Sequence, residues 1–109
     1  MTFVYDETTL TAEGRRAASL LLEYLTLKQF STVTLSGHAD ERGTPDYNMD
    51  LSRQRLGTVV SLLRDGGYKG KIDLLPKGEG EPFIGVDRTR HPRAELLQLD
   101  RRVELRGAQ

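Results

Sequence analysis

An arginine lies at a position where the sequence predicts a buried side chain. Arg55 comes four residues after Leu51 and four before Val59, which places it inside the apolar arc of a predicted helix, Asp46–Leu63. Asn48 shares its side of that helix. A guanidinium does not lose its proton, so burying it requires an anion or several acceptors, from the protein or from a ligand. The helical spacing is carried by Leu51, Leu56, Val59, Val60, Leu62 and Leu63.

A polar loop precedes this helix and contains the nearest candidate anion. Asp40 lies 15 residues before Arg55, within the sequence GHADERG at residues 37–43. The loop is therefore expected either to supply a carboxylate to Arg55 or to share a ligand with it. The residues alone leave both interpretations open.

Size and charge exclude several classes of protein. A chain of 109 residues is expected to form one domain with its own core. Lysine plus arginine and aspartate plus glutamate are both 16, so no net charge draws the chain to nucleic acid or to an anionic membrane. The absence of cysteine excludes disulfides and cysteine metal sites. The N-terminus does not have the pattern of a signal peptide, so any export signal or anchor is expected outside this chain.

Hydrophobic periodicity and turn residues predict strands and helices in alternation. Between the third and last strands, Phe83–Leu99 is predicted to be a long connection with one helical turn near Ala94–Leu97. Such alternation favours a sheet with helices packed on it. The predicted elements are a strand at Thr2–Tyr5, a helix capped by Thr11, a strand at Thr32–Ser36, a helix from Thr44-Pro45 to about Asp65, a strand at Ile72–Leu75 ended by Pro76, and a last strand at Arg102–Arg106.

The loop and the segments after it resemble a known family. Residues 37–48, GHADERGTPDYN, closely resemble the signature of the OmpA-like domain, and most closely that of its peptidoglycan-associated lipoprotein (Pal) branch. Residues 51–55 (LSRQR), 78–82 (GEGEP) and 100–104 (DRRVE) are similar to the helix, loop and closing-strand motifs that follow in the family. The resemblance covers nearly the whole chain in the right order.

The resemblance implies a fold and a function. The expected fold is an α/β (α+β) two-layer sandwich in βαβαββ order, with a small mixed four-stranded sheet and helices on one face. The expected function is non-covalent binding of peptidoglycan through the diaminopimelate of the stem peptide, which anchors a larger envelope protein of a Gram-negative bacterium in the periplasm. No enzymatic activity, cofactor, metal or nucleic acid is implied. A TolB-like periplasmic protein is the alternative partner, for a domain that serves only protein interaction.

The family's ligand site maps onto particular residues of this chain. The resemblance implies that Asp40 engages the amino end of diaminopimelate and that Arg55 engages its carboxylate. Leu56 stands where the family usually has alanine, which would crowd the pocket or shift the helix. The remaining implied residues are Asn48, Thr44 and Leu51 as pocket lining and Arg102 as a buttress.

The chemistry of this ligand agrees with the residues. Diaminopimelate carries an amine and a carboxylate on one short chain, so its site needs an anion and a cation a few ångströms apart. Asp40 and Arg55 meet that demand, and the planar guanidinium binds both carboxylate oxygens. The helix start at Thr44-Pro45 adds free backbone N–H groups. The alternative is a structural ion pair in which Asp40 and Arg55 satisfy only each other.

Other arrangements are less well supported by the sequence. His38 and Asp40 resemble a fragment of a metal site, but no third ligand lies at close spacing. Glu41 and Asp46 are better explained by loop solvation and a first-turn helix charge than by hydrolysis. A basic run in the long connection is expected either to be solvated or to contact an acidic partner or a glycan. That run consists of Arg88, Arg90, His91 and Arg93.

Overall fold

A three-stranded sheet covered by helices forms the frame of the molecule. The computed structural model describes residues 1–109. Its elements are α1 (Ala12–Lys28), β1 (Thr32–His38), α2 (Pro45–Asp65), β2 (Lys71–Gly78), a 3-10 turn (Arg88–Arg90), α3 (Arg93–Asp100) and β3 (Val103–Ala108).

The central strand of the sheet is β1, in the order β2-β1-β3. It pairs in parallel with β2, to which it is joined by a crossover through α2. It pairs in antiparallel fashion with β3. The predicted mixed sheet is therefore confirmed, and β1 ends between its two neighbours, at the start of the 37–43 loop.

The prediction of a fourth strand at Thr2–Tyr5 is wrong. This segment makes only isolated bridges, from Thr2 to Arg102 and from Phe3 to Leu10. The N-terminal end of the segment is held in place instead, because the Met1 ammonium donates to the Val103 carbonyl at 3.0 Å. Phe3 is fully buried in the core, so the β-favouring pattern here reflects one anchored side chain rather than a ladder.

Both long helices begin where their capping residues predict. The Thr11 hydroxyl accepts a hydrogen bond from Gly14 N, and the Thr44 hydroxyl accepts one from Tyr47 N. Pro45 occupies the first turn of α2, where its missing N–H costs nothing. The helix ends at Asp65 before Gly66. No helix combines the length and apolar character needed to cross a membrane.

Two boundaries after α2 differ from the prediction. The strand β2 continues through Pro76 to Gly78, with Pro76 paired opposite Gly37. Proline is tolerated there because β2 is an edge strand, whose outward N–H groups need no partner. In the long connection, α3 spans Arg93–Asp100 and is longer than the single turn expected, because Leu97 and Asp100 are buried against the rest of the fold.

Close packing of α2 on β1 sets the geometry of the loop that follows. An added Cβ at Gly37 would lie 2.5 Å from the Ser52 carbonyl oxygen and 2.6 Å from Leu56 Cγ. Leu56 is 1% exposed and belongs to the core with Leu35 and Val59. It fills the space beside a glycine, so it does not crowd the predicted pocket. The tight contact brings the loop after β1 against the middle of α2.

Candidate functional site

A cavity of about 220 Å³ lies between the loop after β1, the first turns of α2 and the N-terminal segment. It contains four of the six predicted site residues: Asp40, Asn48, Leu51 and Arg55. A larger groove along α1, of about 620 Å³, includes none of them. The full lining is Tyr5, Asp6, Ala39, Asp40, Arg42, Gly43, Tyr47, Asn48, Leu51 and Arg55.

Arg55 is fully buried and is satisfied mainly by backbone carbonyls. Its Nε donates to the Glu7 carbonyl at 3.1 Å, its Nη1 to the His38 carbonyl at 3.1 Å, and its Nη2 to the Val4 carbonyl at 3.3 Å. Its guanidinium carbon lies 5.4 Å from the centre of the Phe3 ring. These bonds use three of the five N–H donors of a guanidinium, so two have no acceptor in the protein.

The charge on Arg55 persists despite its burial. Burial lowers its pKa to about 10, while the nearby Asp40 carboxylate favours the charged form. A group with that pKa is still protonated at neutral pH. The cavity therefore presents a desolvated cation to whatever enters it.

Asp40 is paired with two other arginines and not with Arg55. Its Oδ2 lies 2.9 Å from Arg42 Nη2 and 3.0 Å from Arg101 Nη1. Burial alone would raise the pKa of Asp40, but hydrogen bonds from Arg42 and Arg101 outweigh it and keep that pKa below its ordinary value. No ion pair joins Asp40 to Arg55, so the alternative of a mutual structural pair is wrong.

Asn48 is buried without using its amide nitrogen. The residue is 2% exposed, and its Nδ2 has no hydrogen-bond partner in the protein. Gly43 packs against it with φ near 90°, and an added Cβ there would lie 3.3 Å from Asn48 Oδ1. An unpaired buried amide costs about 1–3 kcal/mol, so this donor is unfavourable unless something else binds it.

Two predicted site residues lie outside the cavity. Thr44 caps α2 and orients its first turn, as its bond to Tyr47 N requires. Arg102 donates to Glu104 at 2.8 Å and to the carbonyl oxygens of Asp100 and Glu81 at 3.2 and 3.0 Å. It therefore does not support the cavity.

The arginine that contacts the cavity from this part of the chain is Arg101. It is the C-cap of α3, and its Nη1 donates to Asp40 Oδ2 at 3.0 Å. Its Nε donates to the Phe3 carbonyl at 3.2 Å. Arg101 therefore holds the Asp40 carboxylate in place.

The aromatic wall of the cavity was not predicted from the sequence. The Arg42 guanidinium carbon lies 3.7 Å from the centre of the Tyr5 ring. The Tyr47 hydroxyl donates to Asp6, which joins α2 to the N-terminal segment. Tyr47 lies within the 37–48 motif, but its contact could not be predicted from that motif, because it depends on a turn 41 residues earlier in the chain.

The sequence and the fold both match known proteins. Residues 2–94 match the OmpA family. The chain belongs to the OmpA family. It is 33% identical to a peptidoglycan-associated lipoprotein of Legionella pneumophila over 104 residues, which cover 94% of this chain and 56% of that relative.

Solved structures share the fold of this OmpA-family domain. The peptidoglycan-associated lipoprotein from Burkholderia pseudomallei superimposes with a TM-score of 0.76 at 24% identity, over 95% of this chain and 85% of that one. The cell wall anchor of the T6SS from Pseudomonas aeruginosa gives a TM-score of 0.66 at 25% identity, over 94% of this chain and 71% of that one. The chain spans about half the length of the curated relatives it matches.

The basic run of this OmpA-family domain is paired internally. Arg88 binds the buried Asp100 at 2.9 Å, and Arg93 binds Glu41 of the site loop. Arg90 and His91 lie beside the acidic residues Asp87 and Glu95. Each basic group therefore has a carboxylate of its own, which weakens the attraction for an acidic partner. No group of three or more histidine or acidic side chains is arranged to bind a metal ion.

Proposed function

We propose that this OmpA-family domain binds peptidoglycan non-covalently through the diaminopimelate of its stem peptide. The observation that carries the proposal is that the unpartnered amide of Asn48 and the incompletely used guanidinium of Arg55 line one cavity. Buried donors without acceptors are unfavourable in a protein that binds nothing. Together they form a site for a carboxylate.

The ligand fits the remaining groups of the cavity. In this proposal its carboxylate accepts from Arg55 and Asn48, and its ammonium approaches Asp40. Leu51 contacts the methylene chain between them. Each charge-assisted hydrogen bond contributes about 1.5–3 kcal/mol net, so a single end of diaminopimelate supplies most of the specificity.

The size of the cavity sets the expected strength of binding. At about 220 Å³ it accommodates the end of one amino acid rather than a disaccharide. Ordering such a small ligand costs several kcal/mol, so we expect a Kd on the order of mM to μM. An immobile polymer that carries many copies of the ligand compensates through avidity.

The names of related proteins support the wider role. One relative is called a peptidoglycan-associated lipoprotein, and one solved structure is called a cell wall anchor. By analogy, we propose that the domain anchors an envelope protein to the cell wall, in the periplasm of a Gram-negative bacterium.

Titration with meso-diaminopimelate tests the proposal directly. We expect saturable NMR shifts in the isotope-labelled domain, centred on Asp40, Asn48 and Arg55, and much weaker effects with Nα-acetyl-lysine amide. This blocked lysine keeps the side-chain amine but has no carboxylate, whereas free lysine presents the same α-ammonium and α-carboxylate as one end of diaminopimelate. The absence of shifts up to roughly 10 mM, a concentration well above the expected Kd, would contradict the proposal and favour a purely protein-binding role.

Asn48→Ala separates binding from folding. We expect this variant to bind meso-diaminopimelate about tenfold or more weakly, because it loses one hydrogen bond to the ligand carboxylate. Its free energy of unfolding is expected to stay the same or rise, since the substitution removes an unpaired buried amide and alanine favours a helix. Calorimetry and urea denaturation measure the two quantities.

The matched control is Gln54→Ala. Gln54 is an exposed amide on the same helix that binds only Asp50, at 2.8 Å. It is expected to leave binding unchanged. If Asn48→Ala binds meso-diaminopimelate as tightly as the wild type does, Asn48 does not contribute to the site.

A further inference from the structure

The carboxylate proposed to receive the ligand ammonium is already saturated. Asp40 Oδ1 accepts from Arg42 N at 3.0 Å and from Arg42 Nε at 3.3 Å. Its Oδ2 accepts from Arg42 Nη2 at 2.9 Å and from Arg101 Nη1 at 3.0 Å. A carboxylate has about four lone-pair positions, so an additional donor must replace one of these.

The two arginines on Asp40 are anchored very differently. The side chain of Arg101 is 8% exposed, and it also donates to the Phe3 carbonyl at 3.2 Å and to Gln98 Oε1 at 2.7 Å. The side chain of Arg42 is 37% exposed, and its guanidinium has no hydrogen-bond partner other than Asp40. Arg42 is therefore the group that a ligand can displace.

A displaced Arg42 keeps a favourable position nearby. Its guanidinium lies over the half-exposed ring of Tyr5, and such stacking does not depend on Asp40. Its backbone N–H stays on Asp40 Oδ1, which keeps the carboxylate oriented. Movement of one side chain is then enough to open Asp40 Oδ2 to the cavity.

We propose that Arg42 competes with the ligand ammonium for Asp40 and so sets a threshold that a ligand passes only when its carboxylate also binds. This inference rests on the proposed function. A ligand with only an amine exchanges one cation on Asp40 for another and gains little. A ligand that also carries a carboxylate adds its bonds to Arg55 and Asn48, and these make the exchange favourable.

Arg42→Gln tests this competition. The variant keeps the backbone bond to Asp40 but removes the competing charge. We expect it to bind meso-diaminopimelate about threefold to tenfold more tightly than the wild type, and to bind 1,5-diaminopentane, which has two amines and no carboxylate. Because the displacement of Arg42 costs the same for both ligands, both dissociation constants, measured by NMR titration, are expected to fall by a similar factor.

Arg53→Gln is the matched control. Arg53 is exposed on α2 and does not line the cavity, so its loss changes the net charge equally without freeing Asp40. Its affinities are expected to equal those of the wild type. Equal gains in both variants would show a general charge effect and would overturn the proposal, as would weaker or unchanged binding of meso-diaminopimelate by Arg42→Gln.

The displacement itself has a direct readout in the wild-type domain. On saturation with meso-diaminopimelate, the Arg42 Nε–H resonance is expected to lose the signature of its bond to Asp40, whereas that of Arg101 stays. An unmoved Arg42 resonance in a domain that binds the ligand would overturn this inference but not the proposed function. Failure of both wild type and Arg42→Gln to bind would overturn both, and binding by Arg42→Gln alone would support the competition.

Discussion

Arg55→Leu is expected to lower the free energy of unfolding by about 3–5 kcal/mol, because it strips three backbone carbonyls of their buried donor. Those carbonyls belong to Val4, Glu7 and His38, so the arginine joins the N-terminal segment and the end of β1 to α2. The free energy of unfolding of a small domain is only about 5–15 kcal/mol, so the variant loses a large part of its stability. Urea denaturation followed by circular dichroism measures the change.

Arg53→Leu is the control for this effect. Arg53 lies on the same helix, two residues earlier, and is exposed. Its replacement is expected to change the free energy of unfolding by less than about 0.5 kcal/mol. An Arg55→Leu variant as stable as Arg53→Leu would show that the three carbonyl bonds contribute nothing net.

The same contacts limit what Arg55 variants reveal about binding. A variant that loses the packing of Val4 and Glu7 also disturbs the cavity wall, so its failure to bind peptidoglycan has two explanations. The amide nitrogen of the Asn48 side chain has no hydrogen-bond partner in the unliganded fold, and substitution of Asn48 is the cleaner test. Arg55 is therefore both a support of the fold and a candidate ligand-binding group.

Local signals predicted α2 well and the environment of Arg55 poorly. The helix period, the Thr44 cap and the stop at Gly66 depend on residues within a few positions of each other, and all are confirmed. The burial of Arg55 also followed from the period. Its partners did not, because Val4 and Glu7 lie about 50 residues away and contribute carbonyls, which every residue has.

The candidate site was predictable only in outline. The convergence of Asp40, Asn48 and Arg55 followed from the resemblance of the loop and helix motifs. The pairing of Asp40 with Arg42 and Arg101 did not, because an arginine two residues away is ordinarily solvated and Arg101 approaches from α3. The N-terminal segment was predicted wrongly for a related reason. Isolated bridges at Thr2 and Phe3, together with the burial of Phe3, give the same local sequence pattern as a strand.

His38 is expected to make the domain less stable as the pH falls from about 6.5 to 4. It is fully buried at the end of β1, and its Nε2 lies 2.7 Å from Ser36 Oγ. Arg106 Nη2 lies 3.4 Å from the same Nε2, and because a guanidinium can only donate, Nε2 is assigned as an acceptor and the ring proton to Nδ1. Nδ1 has no partner in the protein. The folded state therefore contains a neutral imidazole.

The environment of the ring opposes a second proton. Burial lowers the pKa of His38 to about 4 from its model-compound value of 6.5, and Arg102 and Arg106 act in the same direction, against Glu104 and Glu81. Between these two pH values the unfolded chain binds a proton that the folded chain does not, so the free energy of unfolding falls as the pH falls. The full lowering of the His38 pKa corresponds to about 3 kcal/mol of the free energy of unfolding. Buried carboxylates such as Asp40 act at lower pH, because their stabilisation is lost only as the pH falls through their lowered pKa.

Two variants and one titration test the assignment. The free energy of unfolding, measured by urea denaturation at several pH values, is expected to depend less on pH between 6.5 and 4 in His38→Gln than in the wild type. His91→Gln is expected to keep the wild-type dependence, because His91 lies at the surface beside Glu95. If His38→Gln folds poorly, the imidazole resonance of His38 in the folded wild type gives the same information. A midpoint near 6.5 in that resonance would contradict the neutral buried ring. A midpoint near 4 would establish it, and would place an acid-sensitive group in the same residue whose carbonyl binds Arg55.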